Sequence, residues 1–179
     1  MSADPRPVVL DACVCINVAA AVPLRDVARL VARPVVVVTQ AAAEALFLHD
    51  IVDEEHVRTA VDLSELEEVA LEQGEFATYA ALARGLDDGE AASLAVAHHR
   101  GWSIATDDRA ARRVARNLDP PADVVTTSVL LRTCAESLEL DAEALAHLLG
   151  AVEARATFVP PRDDPNRDWW QTARSWPRA

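Results

Sequence analysis

The chain contains no lysine: all 17 of its basic residues are arginine. That absence removes a P-loop, a Schiff-base lysine, a lysine general base and the lysine-assisted phosphoaspartate sites of the common aspartate-nucleophile folds. A GC-rich genome produces such a bias, and the exclusions stand whatever its cause. No apolar run approaches the roughly 20 residues needed to cross a bilayer. The start, Met1-Ser2-Ala3-Asp4-Pro5-Arg6, carries an acid and a proline and leads straight into a strand pattern, so no signal peptide is expected. Cysteine is scarce and odd in number. Cys13, Cys15 and Cys134 argue for reduced thiols in a cytoplasm rather than a disulfide framework. Cys13 and Cys15 form a C-x-C pair, but no second pair or nearby histidine completes a tetrahedral zinc set, and a structural role is expected.

Aromatics are only 4% of the chain, while 51% is hydrophobic and rich in Ala, Val and Leu. Ala-rich stretches alternating with Val-rich ones fit an α/β globule, and 179 residues suit one core. The net charge of −12 disfavours loose, backbone-driven binding to nucleic acid, which depends on positive potential and counterion release. Any such role needs a local patch. Arg109, Arg112, Arg113 and Arg116 supply one, because i, i+3, i+4, i+7 spacing places them on one helical face. That face guides phosphates, or it is a solvated face paired with acids elsewhere.

Along the chain, Val8 to Asp11 reads as a first strand and Cys13 to Ala20 as a short helix. Pro23 opens a second helix to Arg33, which Pro34 stops. Val35-Val36-Val37-Val38 is β-branched and continuous, as in a strand buried on both faces. Thr39 is expected to cap a helix running to about His49 and carrying Glu44. From Ile51 to Gly85 the pattern supports a strand near Val57 to Val61 and an acidic helix from Ser64, where Ser64-Glu65-Leu66-Glu67 matches a capping box. Asp87-Asp88-Gly89-Glu90 opens a helix that Gly101 ends, with Asp87 and Asp88 suited to capping and His98 and His99 to its C-terminus. Trp102 to Thr106 reads as a strand, Arg109 to Asn117 as a helix, Asp123 to Thr126 as the last strand, and Ser128 to Ser137 and Asp141 to Arg155 as amphipathic helices. The division expected is one domain over residues 1–158 and a Pro/Trp-rich tail over 159–179. Trp169, Trp170 and Trp176 dock on the same chain, or on a partner.

Acids stand where strands end. Asp11 closes Val8-Val9-Leu10 and Asp107 follows Ile104-Ala105-Thr106, placing both at the carboxyl edge of a parallel sheet, where ligands bind in open α/β folds. An acid there is costly to hold without a partner. Glu44 and Glu90 read either as members of the same cluster or as ordinary helix acids. Clustered carboxylates are hard oxygen donors suited to Mg²⁺ or Mn²⁺.

Leu10-Asp11-Ala12-Cys13-Val14-Cys15-Ile16-Asn17, Glu44 after the second strand, Gly89-Glu90-Ala91-Ala92-Ser93-Leu94-Ala95-Val96-Ala97 and Ala105-Thr106-Asp107-Asp108 together resemble the PIN-domain family, nearest the VapC-type toxins. The likeness spans roughly residues 7 to 140. It implies a single-domain three-layer α/β/α fold with a mostly parallel central sheet. It further implies an endoribonuclease using Mg²⁺ or Mn²⁺, with Asp11, Glu44, Glu90 and Asp107 as the acidic quartet. Asp11, Glu90 and Asp107 would be the metal-binding members, with Asp108 as an auxiliary acid. The partners implied are RNA along Arg109, Arg112, Arg113 and Arg116, a small antitoxin protein, and a second copy of the chain in a homodimer. Cys13 departs from the family, which usually has Ser, Thr or Asn there. Two rival readings stand beside this one: a catalytically weakened binding module acting through a protein partner, and an aspartate-nucleophile hydrolase, which would need a second acid two residues after Asp11 and usually a lysine.

Overall fold

The computed structural model describes residues 5–44 and 46–176; the extreme N-terminal residues 1–4, the middle of the segment expected to be helical at Ala45, and the end of the tail at 177–179 lie outside the described residues. Among the described residues, the main sheet has five strands, all pairings parallel, in the order β5-β2-β1-β6-β7. These are β1 (Val8–Leu10), β2 (Val35–Val38), β5 (Glu67–Val69), β6 (Ser103–Ala105) and β7 (Asp123–Val125). β1 and the four valines of β2 are wholly buried, so the continuous apolar runs reflect strands covered on both faces. From β1 the chain builds outward to β2 and β5, then returns to build β6 and β7 on the other side. The order therefore reverses between β1 and β6, whose carboxyl ends lie side by side with Leu10 opposite Ala105.

On one face, α5 (Asp88–Arg100) crosses β1, β2 and β6 and packs against α3 (Thr39–Ala42), α4 (Phe76–Leu82) and α6 (Arg109–Asn117). On the other, α1 (Ala12–Ala19), α2 (Leu24–Leu30) and α7 (Thr127–Ser137) pack together, completing the three layers. The long central α5 owes its bounds to local chemistry. Asp87 and Glu90 form a capping box at its start, and Gly101 ends it in the left-handed conformation at φ 65°, which glycine adopts without a Cβ clash.

The segment between β2 and α5 differs from the expected helices. α3 is only four residues long, and Glu44 sits after it in a bend rather than inside a helix. The chain then forms an antiparallel hairpin, β3 (Phe47–Val52) and β4 (Glu55–Ala60), turning at Asp53 and Glu54, both at positive φ. Arg155 fastens this hairpin, binding Asp50 at 2.6 Å and the Ala20 carbonyl at 2.7 Å. The acidic helix from Ser64 is absent as well. The Ser64 N–H and hydroxyl both donate to Asp62, which closes a turn instead of a helix cap, and Glu67 enters the edge strand β5.

Past α8 (Ala142–Arg155), the tail crosses back over the domain as a strap and ends in α9 (Arg167–Arg174). Trp170 is buried, edge-on to Phe158 and Trp169, with its Nε1–H donating to Glu153 at 2.9 Å. Trp176 is exposed.

Candidate functional site

The strand order reverses between β1 and β6, and Asp11 and Asp107 lie just past the carboxyl ends of these two neighbouring strands, the edge where ligands bind in open α/β sheets. Asp11 is the N-cap of α1 and is 2% exposed. Its Oδ1 accepts from the Ala12 N–H at 2.8 Å; its Oδ2 accepts from the Thr106 hydroxyl at 2.9 Å and the Cys13 thiol at 3.3 Å. Burial holds the Asp11 carboxyl above the usual aspartate range, and these three donors only partly offset it. Cys13 thus does here what a hydroxyl would do, donating to Asp11. Its own thiol is pushed far up, mainly by burial and then by the Asp11 charge.

Asp107 is oriented by partners that sequence reasoning did not identify as functional. The N–H and hydroxyl of Thr127, in the first turn of α7, donate to its two oxygens, and the Asn17 amide donates to Oδ2 at 3.0 Å. Asn17 lies one turn of α1 beyond Cys13, and that spacing was the available signal. Burial raises the Asp107 pKa, with a further push from the charge of Asp164.

Glu44 reaches the first turn of α5, where the Gly89 N–H donates to its carboxyl. A Cβ at Gly89 would lie 2.1 Å from Glu44 Oε1 and 3.2 Å from the Ala41 backbone, so only glycine lets the acid approach the helix end. Glu90 reaches back to the Asp87 N–H at 3.4 Å, a long capping bond, and is pushed up to about 7 by burial and then by the charges of Asp108 and Asp11. Asp108 caps α6 through the Ala111 N–H at 2.7 Å. The acids therefore act on one another: Asp11 with Glu44, Glu90 and Asp108, and Cys13 with both Asp11 and Asp107. In the orientations their hydrogen bonds impose, no three His, Cys, Asp or Glu side chains among the described residues are grouped to hold a metal ion. The oxygen donors nonetheless suit a hard divalent cation, which would offset the burial, and then the repulsion, that raise Asp11, Glu44 and Glu90.

The arginine face divides. Arg109, Arg113 and Arg116 are exposed, but Arg112 is 4% exposed, its Nη2 pairing with Asp163 of the tail at 3.3 Å and its Nε–H without a partner. All four line a groove of about 610 Å³ with Asp108 and Asp163. A recess of about 330 Å³, lined by Arg84, Asp87 and Glu90, adjoins it through the shared Asp108 and Ala110. His98 and His99 turn instead to the Pro120 carbonyl and the Thr78 hydroxyl.

The raised acids set the pH dependence of stability. Glu90 ionises near 4.5 when unfolded and near 7 when folded, so between those values the folded chain keeps a proton the unfolded chain has lost. Stability therefore falls as pH rises from about 4.5 to 7 and levels off above. Asp11, Glu44 and Asp107 shift in the same direction. After discounting for the solvent exposure of Glu90, its share is roughly 1–2 kcal/mol, a melting shift of a few degrees. Melts in chelator at pH 5 and pH 7.5 should show the lower value at pH 7.5, and Glu90→Gln should shrink the difference.

A protein-family model described as a PIN domain matches residues 7–160. No curated protein and no solved structure matches the chain.

Proposed function

Because the chain belongs to the PIN-domain family, a nuclease fold, we propose that it is a divalent-metal-dependent endoribonuclease and the toxin of a toxin–antitoxin pair. What supports this reading is that Asp11 and Asp107 end neighbouring strands at the reversal of strand order, and that charge acts between the surrounding acids, from Asp11 on Glu44 and Glu90 and from Asp108 on Asp11 and Glu90. Asp11, Glu90 and Asp107 would hold Mg²⁺ or Mn²⁺, and Glu44 and Asp108 would complete the acidic wall. When bound, the ion lowers the pKa of a water and steadies charge on the phosphate.

The chain's own residues do the rest. Thr106, Cys13, Thr127 and Asn17 fix the rotamers of Asp11 and Asp107 by donating to them. Long capping at 3.4 Å leaves Glu90 free to swing from Asp87 toward an ion. Arg109, Arg113 and Arg116 would hold the RNA backbone along the adjoining groove, with Arg112, which lines the same groove, held beneath them by Asp163. The strongly acidic chain suits a basic antitoxin segment entering the same cleft, and dimerisation would follow the family resemblance.

The test is cleavage of single-stranded and transfer RNAs with Mn²⁺. Cleavage is expected with the metal and should be lost on chelation and restored by adding Mn²⁺ back. Full activity in chelator would overturn the reading.

A further inference from the structure

An acid of the tail stands inside the arginine groove. Asp163 lines the same space of about 610 Å³ as Arg109, Arg112, Arg113 and Arg116. A surface that attracts a polyanion is weakened by a carboxylate in its midst, because steering and counterion release both depend on positive potential. The other acid lining the groove, Asp108, is accounted for as the N-cap of α6. Asp163 caps no helix, and its side chain bonds to Arg112.

That pair is lopsided. The Arg112 side chain is 5% exposed and that of Asp163 61%. A guanidinium so deeply buried needs an anion beside it. Asp163 supplies one bond of 3.3 Å, whereas a close-fitting carboxylate makes two parallel bonds of about 2.7–2.9 Å. The Arg112 Nε–H is left with no partner at all. The buried cation is thus satisfied loosely, by an exposed group on the groove side, and a backbone phosphate carries oxygens that match the same guanidinium fork. The strap keeps the carboxylate at this place. Directly beyond Asp163, Asp164 accepts from the Ser128 hydroxyl at 2.5 Å and the Asn166 side chain accepts from Arg132 at 3.0 Å.

We propose that Asp163 is a tethered competitor for the arginine groove, holding on Arg112 the place of an RNA backbone phosphate, so that the C-terminal strap sets how tightly the groove takes RNA. The inference rests on the RNA-binding reading above, and its test separates the two. Binding of a fluorescently labelled single-stranded RNA is followed by anisotropy in chelator, which keeps the strand uncut, at salt concentrations from about 50 to 200 mM. The proteins are the full chain, Asp163→Asn and Asp168→Asn, each after a thermal melt confirms folding. Should Asp163→Asn not fold, Asp163→Ser serves, since it also lacks the charge and keeps an oxygen that can accept from Arg112.

Asp163→Asn should bind the RNA about threefold or more tightly at the lowest salt, and its dependence of log K on log salt should steepen by about 0.7, the equivalent of one more phosphate contact on a single strand. Asp168→Asn removes the same charge from an exposed tail acid outside the groove lining and should stay at the parent value. Unchanged or weaker binding in Asp163→Asn would overturn the proposal and make Asp163 a clamp for Arg112 alone, leaving the RNA reading intact. An equal gain in Asp168→Asn would also overturn it, since net charge and not place would then be the cause. If neither the parent chain nor Asp163→Asn binds RNA, the RNA reading fails first, and this inference with it.

Discussion

Replacing Asp11 with asparagine is expected to lower metal-dependent RNA cleavage by at least about 10³-fold, some 4 kcal/mol of barrier, while leaving the fold as stable as before or slightly more so. The two halves of that result come from the same physics. Asp11 is almost wholly buried, and burial holds its carboxyl above the ordinary range despite three donors. Its ionised form therefore costs the fold free energy at neutral pH, and a neutral isostere removes the cost. Asparagine can still accept the Ala12 N–H, and the Thr106 hydroxyl can rotate to accept the new amide. What cannot be replaced is the negative charge at the end of β1, where the other acids converge. Melting curves and single-turnover cleavage with Mn²⁺ check the two halves separately. A variant that cleaves at the parent rate would remove Asp11 from the centre; one that unfolds would show that its hydrogen bonds outweigh its charge.

The parts of this fold that were legible in the sequence are those where several local signals agree. The apolar runs at Val8 to Leu10 and Val35 to Val38, the capping acid Asp87 and the helix-ending Gly101 each mark an element that the structure contains. The region from Thr39 to Gly85 was not legible, because its local preferences are overruled by longer-range contacts. An alanine-rich start predicts a helix through Glu44, yet the chain must turn there to place Glu44 against Gly89 and to send Phe47 into a hairpin. The turn of that hairpin uses Asp53 and Glu54 at positive φ rather than the Asn-Gly or Asp-Gly that would announce it. Ser64 has the spacing of a cap, but Asp62 takes its N–H. At the candidate site, strand-end acids are visible because a charge beside a buried run is conspicuous. The docking of the tail is not visible: Asp163 and Asp164 lie in a proline-rich stretch with the composition of a linker, and nothing in it indicates that they are held by Arg112 and Ser128. Arg112 shares helical spacing with three exposed arginines, and nothing in the sequence indicates that Asp163 draws it inward.

Trp170→Ala should destabilise the protein by about 3–5 kcal/mol, which for a chain of this size corresponds to roughly 6–20 °C in melting temperature. Trp170 is the largest fully buried side chain; its loss opens a cavity against Phe158 and Trp169 that the strap cannot close, and leaves Glu153 with one donor fewer. Arg174 still binds Glu153 at 3.0 Å, so the remaining acid keeps a partner and the penalty falls mainly on packing. Trp176, half exposed at the end of the described chain, gives the contrast: Trp176→Ala should change stability by no more than about 0.5 kcal/mol. The position of the anchor makes the larger effect reach the arginine-lined groove. α9 begins one residue after Asn166, so loosening Trp170 frees the strap that holds Asp163 on Arg112 and Asp164 on Ser128. Chemical denaturation with tryptophan fluorescence measures the stability change, and limited proteolysis shows whether cleavage begins in the strap at residues 160–166. Trp170→Phe separates the causes, since it keeps most of the apolar volume and loses only the Glu153 bond. It should recover more than half of the lost stability, and a variant as unstable as Trp170→Ala would place the effect in the hydrogen bond instead.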